Sequence, residues 1–152
     1  MKKPLTLLFV VLVAGVSLYS QVSYEELLRA DLKAKKVAIV TGAMQLTDAQ
    51  SQIFWPIYRK YDAELTTFND QRIALIKDYA ENFDKMTDSK ADTLTKEVFS
   101  LLGKRLKLQE KYYEEFSKAL GPVLAAKYMQ VERQINALVD LQIASELPLI
   151  NK

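Results

Sequence analysis

Leu46-Thr47-Asp48-Ala49-Gln50, followed by Phe54-Trp55-Pro56-Ile57-Tyr58, is the stretch on which the fold turns. A threonine followed three residues later by glutamine has the form of a capping box. The Thr47 hydroxyl accepts from the backbone N–H of Gln50, and the Gln50 side chain accepts from the backbone N–H of Thr47. Asp48 adds negative charge in the first turn, where the helix dipole favours it. A helix therefore starts at Asp48. Ser51 stands where a hydrophobic staple to Leu46 would need an apolar residue, so Leu46, Thr47 and Gln50 mark the start through the cap alone.

From that start, apolar residues recur at Phe54, Tyr58, Tyr61, Leu65 and Phe68, then at Leu75 and Tyr79. The steps alternate four and three, which is a heptad seam, with Arg72 in the seam position between Phe68 and Leu75. Ile53, Ile57, Ile76 and Phe83 widen the stripe, and the helix is expected to reach about Asn82. Pro56 lies past the first turn. It removes one backbone hydrogen bond and crowds the carbonyl of Gln52, which predicts a kink or break there.

The same reading extends in both directions. Upstream, Leu27, Leu28, Leu32, Val37, Ile39 and Val40 give a first helix over about Val22 to Ala43, ending near Gly42. Downstream, a third helix starts near Asp88 with Thr87 as N-cap and ends near Ala119. Its seam is Leu94, Val98, Leu101, Leu108, Tyr112 and Ala119, with Leu102 and Phe116 alongside and Arg105 between Leu101 and Leu108. Gly121 suits a left-handed C-cap and Pro122 the first position of a fourth helix. That helix, Pro122 to Glu146, carries Leu124, Tyr128, Val131, Ile135 and Leu138, and Pro148 ends it. The fold predicted is all-α: an elongated antiparallel helical hairpin of about four helices. The long second and third helices form one thin layer with an under-covered stripe, so a homodimer is expected.

The first twenty residues read differently. Met1-Lys2-Lys3 is a positive start, Pro4 to Val16 an apolar run, and small residues follow at Ser17 and Ser20. This is the pattern of a secretory signal peptide over residues 1–20, cleaved after Ser20 or, as the rival site, Ser17. The mature part, 21–152, reads as a single all-helical domain exported to the periplasm with no stable membrane anchor. The chain has no cysteine, so neither a lipid anchor on cysteine nor a disulfide is available.

Two of the 21 Lys and Arg belong to the leader, which leaves 19 against 19 Asp and Glu. A neutral chain of mixed sign gives no electrostatic footprint for nucleic acid. With no histidine or cysteine, a thiolate or imidazole metal site is excluded, and no calcium-loop pattern of spaced aspartates occurs. The sequence has no nucleophile–base pair and no glycine-rich phosphate loop. The reading is a binding protein without cofactor or metal, not an enzyme.

The Leu46 to Gln50 motif resembles the Leu-Thr-x-x-Gln signature of the Spy/CpxP-like family, small periplasmic helical proteins associated with chaperone activity and envelope stress. The order of export signal, short first helix, motif, long hairpin and final helix is similar across the mature chain. Met86-Thr87-Asp88-Ser89-Lys90 repeats the Thr-Asp pair with Lys90 in the box position. Leu120-Gly121-Pro122-Val123-Leu124 occupies the place of a second motif, with Gly121 for threonine and Leu124 for glutamine. Phe54 to Tyr58, and Asp140 through Pro148, resemble a branch of exported relatives without an assigned activity. The resemblance implies ATP-independent, chaperone-like holding of unfolded or stress-exposed envelope proteins. The alternative is a structural or regulatory partner of one specific envelope or sensor protein.

The residues singled out for client or partner binding are Arg72, Arg105, Trp55, Phe99 and Tyr113. A guanidinium in an apolar seam must reach solvent or a carboxylate such as Asp70, Asp78 or Glu110, or else supply charge on a concave face. The three aromatics lie partly outside the strict seams. They serve core packing, dimer contacts or an exposed apolar surface.

Overall fold

The computed structural model describes Lys33 and residues 35–150. The expected signal peptide and the start of the first helix lie outside the described residues. The chain divides into two compact units, Met1–Ile39 and Val40–Lys152. Of the first, the described residues are helical. Among the described residues the fold is all-α, with no strand. A helix over 35–44 (α1) precedes α2 (Asp48–Asn82), α3 (Asp88–Leu120) and α4 (Pro122–Glu146).

The capping box at Thr47 forms as the sequence requires. The Thr47 N–H donates to Gln50 Oε1 at 3.0 Å, and the Gln50 N–H donates to Thr47 Oγ1 at 3.3 Å. α2 then runs 35 residues without interruption, about 52 Å of helix. It passes through Pro56, so of the expected kink or break the break does not occur. Gln52 and Pro56 are both exposed, which leaves the carbonyl that loses its partner on the water side. α1 ends at residue 44, one residue past the expected end at Ala43. Gly42 lies inside the helix, and Gln45 takes the left-handed conformation (φ 50°) just past its end, its N–H donating to the Thr41 carbonyl at 3.3 Å. Lys127 of α4 donates to the Met44 carbonyl at 3.0 Å and satisfies another of the terminal acceptors.

α2 and α3 form a hairpin closed by a 3-10 turn over Phe83–Lys85. Thr87 caps α3 by accepting from the Lys90 N–H at 3.2 Å. Lys90 cannot complete a capping box, and its ammonium instead pairs with Asp78 of α2 at 2.6 Å, tying the start of α3 to the end of α2. At the other end, one residue separates α3 from α4. Gly121 has φ 87° and ψ 155°, an extended conformation of positive φ that suits glycine alone, rather than the left-handed cap the sequence suggests.

α3 packs on both α2 and α4, while α2 and α4 meet through long side chains. The core holds Phe54, Tyr58, Tyr61, Leu65 and Phe68 of α2, each at its expected seam position. α3 contributes Leu94, Leu101, Arg105, Tyr112 and Phe116. α4 contributes Ala125, Tyr128, Val131 and Glu132. Three seam assignments need correction. Val98 and Ala119 of α3 and Leu138 of α4 are exposed, as is Leu102, placed alongside the seam. Phe116, placed alongside the seam, is fully buried. Val98 lies five turns before Phe116 and so points the same way, but the stretch of α2 beyond Phe68 has no fully buried side chain and leaves Val98 open to water.

Candidate functional site

The largest side chains cluster where α2, α3 and α4 come together near their Phe54, Phe116 and Tyr128 turns. The Phe54 ring lies 5.0 Å from Phe116 and 5.1 Å from Tyr128, centroid to centroid, and Tyr128 lies 4.7 Å from Phe116. Trp55 is half-buried and packs edge-on against Phe54 and Tyr58 at 5.1 and 5.2 Å. It therefore belongs to the wall of this cluster. Offset and T-shaped contacts of this kind add to the burial of the rings themselves.

Buried tyrosine hydroxyls need acceptors, and one residue supplies those of Tyr61 and Tyr128. Glu132 is fully buried. Its Oε1 accepts from the Tyr61 hydroxyl at 3.0 Å and from Asn136 Nδ2 at 3.2 Å, and its Oε2 accepts from the Tyr128 hydroxyl at 3.5 Å. Burial, with the neighbouring Glu132 charge, pushes the Tyr61 and Tyr128 hydroxyls well above the ordinary phenol range. Tyr58 is raised by burial and then by Asp62 and Glu132. Sequence reasoning missed Glu132. The signal was available in its spacing: it falls four residues after Tyr128 and four before Asn136, on the face that Val131 and Ile135 also share.

A lower node joins the same three helices. Arg72 Nη2 approaches Asp140 Oδ1 at 2.8 Å, and Arg105 Nη1 donates to Asp140 Oδ2 at 3.5 Å. The Arg72 contact is close but not aligned as a hydrogen bond, so it acts through charge. Arg105 is only 9% exposed and lies over the Phe68 ring, its Cζ 5.4 Å from the centroid. The two seam arginines are thus brought together on one carboxylate of α4. Asp70, Asp78 and Glu110 do not serve them: Asp140 does. Between α2 and α3, Glu64 accepts from Lys111 and from the Tyr112 hydroxyl, each at 2.7 Å, and these hydrogen bonds hold its carboxyl below the usual range.

The remaining candidates face water. Phe99 is 67% exposed and Tyr113 38%. They share a face of α3 with Leu102 and Leu106. Leu102 and Leu106 line one wall of a groove of about 300 Å³, whose far wall is Arg133, Asn136 and Ala137 of α4. Leu46 is half-buried, Thr47 exposed, and both they and Gln50 act in the helix start. Among the described residues no group of three or more His, Cys, Asp or Glu is placed to hold a metal ion, and no helix is long and apolar enough to cross a membrane. Comparison with family models, curated proteins and solved structures gives no match.

Proposed function

We propose that this protein is a Spy/CpxP-like binding protein, exported to the periplasm, that holds unfolded or stress-exposed envelope proteins without ATP. The observation that carries the reading is apolar surface left open on a charged helical bundle. Phe99, Leu102 and Leu106 of α3 and Leu138 and Leu141 of α4 are all exposed. Contiguous apolar surface bordered by charge marks interaction sites in soluble proteins. Apolar side chains would take the exposed segments of a client while the surrounding Lys, Arg, Asp and Glu keep the complex hydrated. With no phosphate-binding loop in the sequence, capture and release follow affinity alone. Purified residues 21–152 are expected to suppress aggregation of a chemically unfolded client. No suppression at several-fold molar excess overturns this function. Export predicts a periplasmic protein whose N-terminus is Gln21, read by N-terminal sequencing.

A second reading is favoured by one specific observation. Phe99, Leu102, Leu106 and Tyr113 fall at heptad spacing, which suits a helical partner in fixed alignment better than a disordered client. In that reading the protein is a structural or regulatory partner of one envelope or sensor protein. A pull-down from envelope extract separates the two: one stoichiometric partner supports the second, a broad and weak set the first.

A further inference from the structure

We propose that the groove between α3 and α4 binds a single-chain acyl carboxylate, its head on Arg105 and Arg133 and its chain along Leu102 and Leu106. The inference goes beyond client holding and rests on neither reading of the function given above. Its starting point is Arg105, which lines this groove and is only 9% exposed. A guanidinium carries several N–H donors, and burying them without acceptors is costly. Among the described residues, Arg105 makes one hydrogen bond, the long one of 3.5 Å to Asp140 Oδ2. Asp140 is drawn the other way, to Arg72 at 2.8 Å. The Phe68 ring favours the Arg105 charge but offers its N–H groups no ordinary acceptor. The guanidinium is thus held at the wall of an open groove and is short of acceptors.

Three features define what would fill the groove. The first is charge. Among the lining residues and the groups bonded to them, Arg72, Arg105 and Arg133 stand against Asp140 and Glu132, which leaves one positive charge in excess. Arg133 is exposed and has no carboxylate partner among the described residues. A monoanion balances this set, and a planar carboxylate matches the guanidinium fork with paired hydrogen bonds. The second is the apolar wall. Leu102 and Leu106 are 50% and 56% exposed and lie one turn apart on α3, with Ala137 across the groove. Arg105 stands between them in sequence, so one ligand can reach the charge with its head and the leucines with its chain. The third is size. About 300 Å³ lies at the lower end for small-molecule sites, which suits a short or medium acyl chain.

Titration calorimetry of the mature chain with sodium octanoate, kept below its micelle concentration, is expected to give saturable binding of one ligand per chain. Octanol has the same chain without the charge, and acetate the same head without the chain. Each should bind at least about 10-fold more weakly than octanoate. Arg133→Gln should weaken octanoate about 10-fold and leave octanol unchanged, since it removes a charge and touches no core residue. Leu106→Ser should weaken octanoate several-fold through the lost chain contact. Circular dichroism should show full helicity in both variants, because both side chains are exposed. Lys96→Gln removes an exposed charge outside the groove and should leave binding as it is. The proposal is overturned by the absence of saturable binding, by octanol binding as tightly as octanoate, or by a loss as large in Lys96→Gln as in Arg133→Gln. No client protein is present, so failure here leaves client holding standing. A chain that takes octanoate but does not suppress aggregation removes client holding alone.

Discussion

At the end of the bundle around Phe54, rings from three helices close on one another and a buried carboxylate accepts from the hydroxyls of Tyr61 and Tyr128. At the end around Tyr79 the same α2 and α3 run side by side with far less between them. Beyond Phe68, α2 has no fully buried side chain, and α3 contributes Leu94 and Leu101. Ala74 and Ser100 face a groove of about 540 Å³ between the two helices. The seam spacing is unbroken across both ends. Periodicity decides which face turns inward, but the size of the side chains and the presence of a third helix decide whether that face closes.

Alkaline titration should break this contrast most severely. Tyr58, Tyr61 and Tyr128 have pKa values raised above the ordinary phenol value of about 10, by burial first and by Glu132 or Asp62 next. Above pH 10 the unfolded chain releases these protons more readily than the folded one, so it binds fewer, and stability falls as pH rises. The contribution is complete below pH 10. Trp55, the one tryptophan of the chain, sits against these rings. Its fluorescence should therefore follow the alkaline loss of helicity with the same midpoint. A helicity that survives beyond pH 12 would show that the tyrosines are not held neutral.

Truncation separates the two ends directly. Phe54→Ala should cost about 3–5 kcal/mol in urea unfolding, as for other large core rings. Leu75→Ala, at a half-buried position in the thin end, should cost only about 1 kcal/mol. Equal losses would mean that the open groove is packed as tightly as the ring cluster. Next in size, Glu132→Leu strands the hydroxyls of Tyr61 and Tyr128 together with Asn136, for about 2–4 kcal/mol. Glu132→Gln keeps one acceptor oxygen and should lose less, and a leucine variant as stable as wild type would dismiss the network. Smallest is Asp140→Ala. It leaves Arg72 and Arg105 facing each other, but the carboxylate is half-exposed, so about 1 kcal/mol is expected, shrinking as salt is added. A loss unaffected by salt would point to packing in place of charge.

Much of the fold was legible because α2 states its pattern without ambiguity. The capping box gave its start, and Phe54, Tyr58, Tyr61, Leu65 and Phe68 all reached the core. Pro56 does not break the helix because the position opposite its missing bond faces water, and a lone proline on that side leaves the helix running. The site was read less well. Arg72 and Arg105 were recognised as anomalous, yet their partner lies 35 residues beyond Arg105 on another helix, and no local spacing announces such a pair. Val98 fits the heptad rule and still faces solvent, since α2 beyond Phe68 buries no side chain against it. Glu132 was hidden by its charge: acidic residues are read as surface unless something nearby demands an acceptor.

The arginine pair on Asp140 has a consequence for how the helices align. Coiled-coil seams repeat every seven residues, so α4 could in principle slide by one repeat and still present apolar groups to α2 and α3. Sliding one way would bring Arg133 to the place of Asp140 and set three guanidinium groups together. Sliding the other way would bring Leu147 there and leave both arginines without a carboxylate. A node of modest strength in the correct arrangement thus penalises both of the nearest wrong ones. Its worth lies in choosing among alignments that the apolar seam alone would not distinguish.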